Sequence, residues 1–317
     1  MTEDKMLPRT LQLTAVAKRS ALLGIFFFFS SLFALHGQQP AARTVTDELG
    51  RKMTVPGELK RVVSLAPSIT EIIFALGKEN LLKGVTRFSD FPPAAKKLPQ
   101  VGSYVHLDLE KIVALKPDLC IGIKDGNPIA VVRKLEHLGI PVYAVDPRDL
   151  NAILETIVQV GALLGAEQKA HAIVSHMRAR VGRVKSLVAT SPRKPRVFFQ
   201  IGVSPIVSAG TQTYIHELIV MAGGRNLAEG PVPYPRYSRE QVLGLSPDVM
   251  IITSMARGAS FERVKKQWSK WPSMPAVRNN RILLMDSNVC DRPTPRLIDG
   301  LERVAEAIHP DLYRKKP

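Results

Sequence analysis

Between Arg61 and Asp146 short β-branched runs alternate with amphipathic ones. "RVVSLA" (Arg61 to Ala66) predicts a strand. "PSITEIIFALG" follows with Ile72, Ile73 and Leu76 on a helical stripe and Gly77 as the stop; Ser68 and Glu71 have the spacing of a capping box. "LLKGVT" reads as a strand, "DLEKIVAL" as a short helix, "PDLCIGI" as a strand, "AVVRKLEHLGI" as a helix and "PVYAVD" as a strand. Strands that alternate with helices imply an α/β lobe with a mostly parallel sheet.

The pattern then changes. From Asp149 to about Thr190 there is no proline and little turn chemistry. "NAILETIVQVGALLG" forms one helix and the next 25 residues a second, with Ile173, Met177, Val181, Val184 and Val188 on one face. A helix of about 22 residues spans roughly 33 Å, so the connection is a stiff strut rather than a flexible linker.

After the strut the first pattern resumes. "RVFFQIG", "PDVMIIT" and "RILLMD" read as strands; "TYIHELIVMAGG", "SREQVLGL", "FERVKKQWSK" and "PRLIDGLERVAEAIHP" read as helices, with Ser238 and Gln241 as a second capping box. "DLEKIVALKPDLCIG" from Asp108 returns as "SREQVLGLSPDVMII" from Ser238. Glu110 matches Glu240, Leu115 matches Leu245, Pro117 matches Pro247 and Asp118 matches Asp248, all without a gap. The expected organisation is a signal peptide over 1–42, an α/β lobe over 43–148, connecting helices over 149–190, a second α/β lobe over 191–309 and a tail over 310–317. The expected fold is α/β: two lobes with mostly parallel sheets, a long rigid helix between them and a ligand cleft where they face each other.

The first residues change the compartment. Lys18 and Arg19 precede an uncharged run from Ala21 to Leu35, which is the pattern of a secretory signal peptide and short for a spanning helix. An uncleaved anchor is the alternative, since no clean cleavage site stands out. No cysteine directly follows the run, so a lipoprotein anchor is not expected, and no Arg-Arg pair precedes it. Net charge is +16; the leader's four basic and two acidic residues supply +2 of it, leaving +14. Those charges are scattered and accompany no nucleic-acid motif, so a generic basic surface is the reading and no nucleic-acid partner is expected. Cys120 and Cys290, the only two cysteines, are read as free thiols, one in a buried strand and one in a loop.

Signals for catalysis are weak. No G-x-S-x-G, P-loop, G-x-G-x-x-G or H-E-x-x-H occurs. His171 and His176 lie five apart on the strut, off-face for a shared ligand, and Asp108 is better explained as a helix N-cap than as a partner of His106. The informative residues are loop aromatics. Phe88 and Phe91 follow a strand, Tyr104 sits before a helix, and Tyr234 and Tyr237 sit in a proline-rich loop. Loops at strand C-terminal ends form the ligand crevice of parallel sheets, so aromatics drawn from both lobes point to a cleft between them. In "SNVCDRPTPR" (Ser287 to Arg296), Asn288, Asp291 and Arg292 suit either a polar ligand rim or the cap of the last helix. Glu110 and Glu240 each suit the positive end of a short helix, and together they suit a two-fold symmetric basic partner.

On "RVVSLAPSITEIIFALG", "SDFPPAAKKLPQVGSYVHLDLEKIVALKPDL", "VPYPRYSREQVL" and "DRPTPR", the chain resembles the periplasmic substrate-binding proteins of ABC importers, in the branch that binds cobalamin or iron-siderophores. The likeness spans residues 60 to 309. It implies a non-enzymatic monomer that captures a small molecule in the periplasm and delivers it to the importer's membrane subunits, with cobalamin as transported ligand and no cofactor. Glu110 and Glu240 would be the carboxylates that dock onto those subunits. Phe88, Tyr104, Tyr234 and the stretch Asn288, Val289, Cys290, Asp291, Arg292 would contact the ligand. Departures are visible: Ile123, Val289 and Cys290 stand where the cobalamin binders carry aromatics, Asn288 where they carry an aspartate, and Met221 where they carry a disulfide cysteine. Haem or a ferric siderophore therefore stays open as the ligand. The haem binders' tyrosine would fall at Ser103, one position before Tyr104, and Arg236, Arg239 and Arg292 suit an anionic siderophore. An exported hydrolase or a basic envelope scaffold has no spacing in its favour.

Overall fold

The computed structural model describes residues 41–253 and 259–314. The run read as a signal peptide and the last three residues of the tail lie outside them. Contacts divide the chain into Met1–Arg43 with Pro56–Glu58, and Thr44–Val55 with Leu59–Pro317. Both lobes and the cavity described below belong to the second unit.

Strands β1 (Arg43–Thr46) and β2 (Lys52–Val55) form a two-stranded sheet. The first lobe then runs β3 (Val62–Ser64), α1 (Pro67–Ala75), β4 (Leu82–Gly84), β5 (Gly102–Ser103), β6 (His106–Leu107), α2 (Leu109–Ala114), β7 (Leu119–Ile123), α3 (Ile129–His137) and β8 (Val142–Val145). Its main sheet is parallel throughout, in the order β4-β3-β7-β8. Helices α4 (Leu150–Leu163) and α5 (Glu167–Val188) follow. The second lobe runs β9 (Arg196–Gln200), β10 (Ile206–Val207), α6 (Tyr214–Met221), β11 (Arg225–Asn226), β12 (Arg236–Tyr237), α7 (Arg239–Leu245), β13 (Val249–Ile252), α8 (Ala259–Trp268), α9 (Pro275–Arg278), β14 (Ile282–Leu284), α10 (Ser287–Cys290), α11 (Leu297–Ile308) and α12 (Pro310–Tyr313). Its sheet is parallel too, in the order β11-β9-β13-β14. Counted within each lobe, both sheets have the order 2-1-3-4. No helix among the described residues is long and apolar enough to cross a membrane.

The repeated phrase has a structural meaning at its end. Asp118 accepts the backbone N–H groups of Lys60 and Arg61 at 2.7 and 2.8 Å, and its own N–H donates to Arg61 O. Asp248 accepts the Arg196 N–H at 2.9 Å and its N–H donates to Arg196 O. In each lobe, then, the aspartate before the third strand clasps the start of the first strand. Just ahead of it, Lys116 and Ser246 take positive φ (46° and 49°), which ends α2 and α7 and turns the chain into Pro117 and Pro247. Replacing Asp118 with Ala strands two backbone donors, and a loss of about 1–2 kcal/mol is expected in urea unfolding. An unchanged midpoint would remove the clasp from the account.

Alternation along the strands divides the core. Cys120 of β7, Phe198 of β9, and Met250 and Ile252 of β13 belong to clusters confined to their own lobes. Their neighbours Leu119, Ile121, Val197, Phe199, Val249 and Ile251 belong to one large cluster that also contains Ala170, Val174, Met177, Val181, Val184 and Val188 of α5. One face of the strut is thus part of a core shared by both lobes. Arg180, on the same helix, forms ion pairs with Asp299 and Glu302 of α11 at 2.6 Å each. His171 and His176 are exposed.

Two expectations need correction. Ser68 and Glu71 form no capping box: α1 starts at Pro67, its N-cap is Ala66, and no side chain caps it. Proline at the first position has no N–H to satisfy, and both Ser68 and Glu71 are buried. Cys290 does not sit in a loop but closes α10, fully buried, with its Sγ 3.9 Å from the Met285 sulfur. Both cysteines are free. The second capping box, Ser238 with Gln241, forms as read, and Asp108 caps α2 by accepting the Lys111 N–H.

Candidate functional site

A cavity of about 450 Å³ is walled by the loops that follow the parallel strands of both lobes. The first lobe contributes Phe88, Tyr104 and Ile123; the second contributes Tyr214, Tyr234, Asp291 and Arg292. Of the site residues read from the sequence, Phe88, Tyr104, Tyr234, Asp291 and Arg292 come together here. Asn288, Val289 and Cys290 do not reach the lining: α10 is one helical turn, which buries Val289 and Cys290 and leaves only its exit pointing to the cavity. Phe91 and Tyr237 are absent from the wall as well. Phe91 lies under the Arg296 guanidinium, whose Cζ is 3.6 Å from the ring centroid, and Tyr237 packs edge-on against Phe198 at 5.3 Å within its own lobe.

The wall is held by polar groups behind it. Asn127 donates to Tyr104 O at 2.8 Å and Leu65 O at 2.9 Å and accepts the Ile123 N–H at 2.8 Å, tying three loops together. Gly126 takes φ +135°, and a Cβ there would lie 2.8 Å from the Tyr104 ring, so glycine lets the ring close against the backbone. Thr70 bonds both Ser64 and Ser89 at 2.9 Å, anchoring the loop that carries Phe88. In the second lobe, the carbonyls of Pro233 and Pro235 accept from Gly210 and Ser208, which fixes the backbone on either side of Tyr234. Tyr214 donates to Asp291 O at 2.7 Å.

The charges of the wall are unequal in their commitments. Arg148 pairs with Asp146 at 3.1 Å, as does Lys124 at 3.0 Å. Arg292 bonds Glu71 Oε1 at 2.8 Å, Asp90 Oδ1 at 2.9 Å and Phe88 O at 2.9 Å, all in the opposite lobe. Arg296 adds two bonds to Glu71, Nε to Oε2 and Nη2 to Oε1, both at 2.8 Å. Asp291 is the reverse case. Its Oδ1 is sealed from solvent and has no hydrogen-bond partner among the described residues; neither has Thr253 Oγ1. Burial pushes the Asp291 carboxyl up to about 7, and the Arg292 cation offsets only part of the rise. Burial also raises the Tyr214 and Tyr234 phenols, with Asp291 adding to both shifts, so both stay protonated at neutral pH and serve as donors. Among the described residues no three His, Cys, Asp or Glu side chains gather as metal ligands.

Glu110 and Glu240 are elsewhere. Each is exposed in the first turn of a matched helix, α2 or α7. The backbone N–H of Glu240 and the Ser238 hydroxyl hold the Glu240 carboxyl below its ordinary value.

Sequence reasoning missed Glu71, Asp90, Asn127 and Tyr214. Glu71 had a local explanation that hid a partner 221 residues away. Asn127 sits in "DGNP", which reads as an ordinary turn. Tyr214 reads as the first residue of a helix.

Residues 62–289 match the family model described as periplasmic binding protein. A vitamin B12-binding protein of Vibrio vulnificus is 34% identical over 254 residues, covering 78% of this chain and 89% of that protein. Among solved structures, the periplasmic vitamin B12 binding protein of Vibrio cholerae superposes with a TM-score of 0.70 at 29% identity, covering 81% of this chain and 99% of that one. A periplasmic heme binding protein from Pseudomonas aeruginosa superposes with a TM-score of 0.74 at 32% identity, covering 80% and 93%. With two parallel-sheet lobes, a helical strut and an aromatic cavity between them, the chain belongs to the periplasmic binding protein family.

Proposed function

We propose that this protein is exported to the periplasm by its N-terminal segment, captures cobalamin or a related corrinoid in the cavity, and delivers it to the membrane subunits of an ABC importer without catalysing a reaction. The observation that carries the ligand reading is the commitment of charge on the wall. Both wall arginines are paired within the protein, whereas among the described residues the wall carboxylates Asp125 and Asp291 form no ion pair. Such a wall offers acceptors and phenol donors rather than a cation. That suits a macrocycle fringed with neutral amides and disfavours one that presents carboxylates. Phe88, Tyr104 and Tyr234 supply flat apolar surface for its faces, and Ile123 adds an aliphatic contact. The likeness to B12-binding relatives supports the same reading.

Haem is the second reading, favoured by the likeness to a heme binding protein and by the tyrosines that face the cavity from both lobes. Calorimetric titration of the purified protein with cyanocobalamin and with haemin separates the two. One-to-one binding of cyanocobalamin at or below about 1 μM, roughly −8 kcal/mol, is expected. Tight haemin binding with an absorption band lost in Tyr104→Phe would instead establish the second reading.

Glu110 and Glu240, one exposed carboxylate per lobe on matched helices, are assigned to docking on the importer. The double variant Glu110→Ala/Glu240→Ala is expected to abolish uptake in cells while leaving the Kd for ligand unchanged. Uptake that survives the double change would remove these residues from the docking surface.

A further inference from the structure

Glu71 is absent from the cavity wall, yet it is the point where the two lobes are joined beside it. Its side chain is 2% exposed and accepts three hydrogen bonds from two arginines of the second lobe. One of them, Arg292, lines the cavity and also grips Asp90 and the carbonyl of Phe88, another wall residue. The other, Arg296, covers the Phe91 ring. Two cations face two carboxylates, so the cluster is balanced and needs no ligand charge to complete it.

We propose that Glu71 is a positioning residue for the bound ligand: by holding Arg292 and Arg296 it sets the spacing of the two cavity walls, and so the affinity, without touching the ligand. The clause on affinity rests on the cavity being the ligand site, as proposed above; the clause on spacing does not. A buried ion cluster rarely contributes more stability than apolar side chains of the same size. What it adds is direction. Charge-assisted bonds to both oxygens of one carboxylate fix the planes of two guanidinium groups, and Arg292 passes that orientation to Phe88. The strut holds the lobes from behind and the cluster holds them at the mouth, so the wall-to-wall distance is defined at both ends.

The test separates positioning from mere stability. Glu71→Leu/Arg296→Leu removes one charge of each sign and leaves Arg292 with Asp90, so no buried charge is orphaned. Spin labels on Lys134→Cys in α3 and Lys266→Cys in α8, both exposed, report the distance between lobes; the two native cysteines are buried and will not label. Without ligand, a single narrow distance is expected with Glu71 and Arg296 in place, and a broader or shifted distribution in the double variant and in Glu71→Gln. For the probe that the unmodified protein binds, cyanocobalamin or haemin, the Kd is expected to rise roughly ten-fold or more in both variants. A distance distribution and a Kd that match the unmodified protein, in a variant that still melts cooperatively, would overturn the proposal. If the unmodified protein binds neither probe, the ligand reading falls with the affinity clause, and the distances alone decide the spacing.

Discussion

Glu71→Ala is expected to cost about 3–5 kcal/mol of folding stability, the largest effect of any single charge removal beside the cavity. The arginines it leaves behind are 12% and 21% exposed, too deep for water to replace three hydrogen bonds. Arg292 would keep Asp90 and the Phe88 carbonyl. Arg296 would keep only the Asn288 carbonyl at 3.3 Å and its contact with Phe91. Most of the penalty therefore comes from Arg296 as an uncompensated cation. Removing that cation as well should return most of the loss, so Glu71→Leu/Arg296→Leu is expected to be more stable than Glu71→Ala. Urea unfolding of the three proteins measures both differences. A single variant that unfolds at the unmodified midpoint would mean that water reaches the cluster freely.

Asp291→Asn should alter how stability depends on pH. An isolated aspartate has an ordinary value of 3.8, and burial brings Asp291 to about 7. Between those values the folded chain keeps a proton that the unfolded chain has lost. Stability is therefore full below about pH 4 and falls as pH rises toward 7, at up to about 1.4 kcal/mol per unit. The whole window is worth on the order of 4 kcal/mol at its limit. Asp248 and Glu302, which Arg196 and Arg180 hold below their ordinary values, act in the opposite sense, and only as pH falls through the acid range. The difference between unmodified protein and Asp291→Asn isolates the one group. The two should agree near pH 4, and the variant should gain up to about pH 7 and hold that margin beyond it. Curves that stay parallel would show that Asp291 is not buried as a charge. A ligand that donates to Asp291 would draw the carboxyl toward ionisation, so its binding near pH 6.5 should release a proton, visible as a buffer-dependent heat.

The elements were legible because each lobe obeys its own periodicity. β-branched runs gave the strands, and the stripe through Met177, Val181, Val184 and Val188 gave the strut face, with Val174 in place of Ile173 as its next fully buried member. The cavity was legible in part, because loop aromatics without a stripe to join have to be explained by something else. That logic found Phe88, Tyr104 and Tyr234 at the wall and also collected Phe91 and Tyr237, which satisfy themselves on Arg296 and Phe198. What was not legible depends on pairs far apart in the chain. Glu71 looks like a capping residue because spacing reports only local geometry, and its arginines lie 221 and 225 residues on. Asn288 to Arg292 reads as one stretch, but a single helical turn sends successive side chains in different directions, so only Asp291 and Arg292 arrive at the cavity.

The shared core has a consequence for how the molecule comes apart. The inward faces of both sheets and one face of α5 form a single apolar cluster, so neither lobe can open without stripping cover from the other. Heating should therefore give one cooperative transition, with calorimetric and van't Hoff enthalpies in agreement, rather than one for each lobe. The gene cannot be divided at the strut into two well-behaved halves: whichever half kept the helix would carry a long apolar seam with nothing to close it.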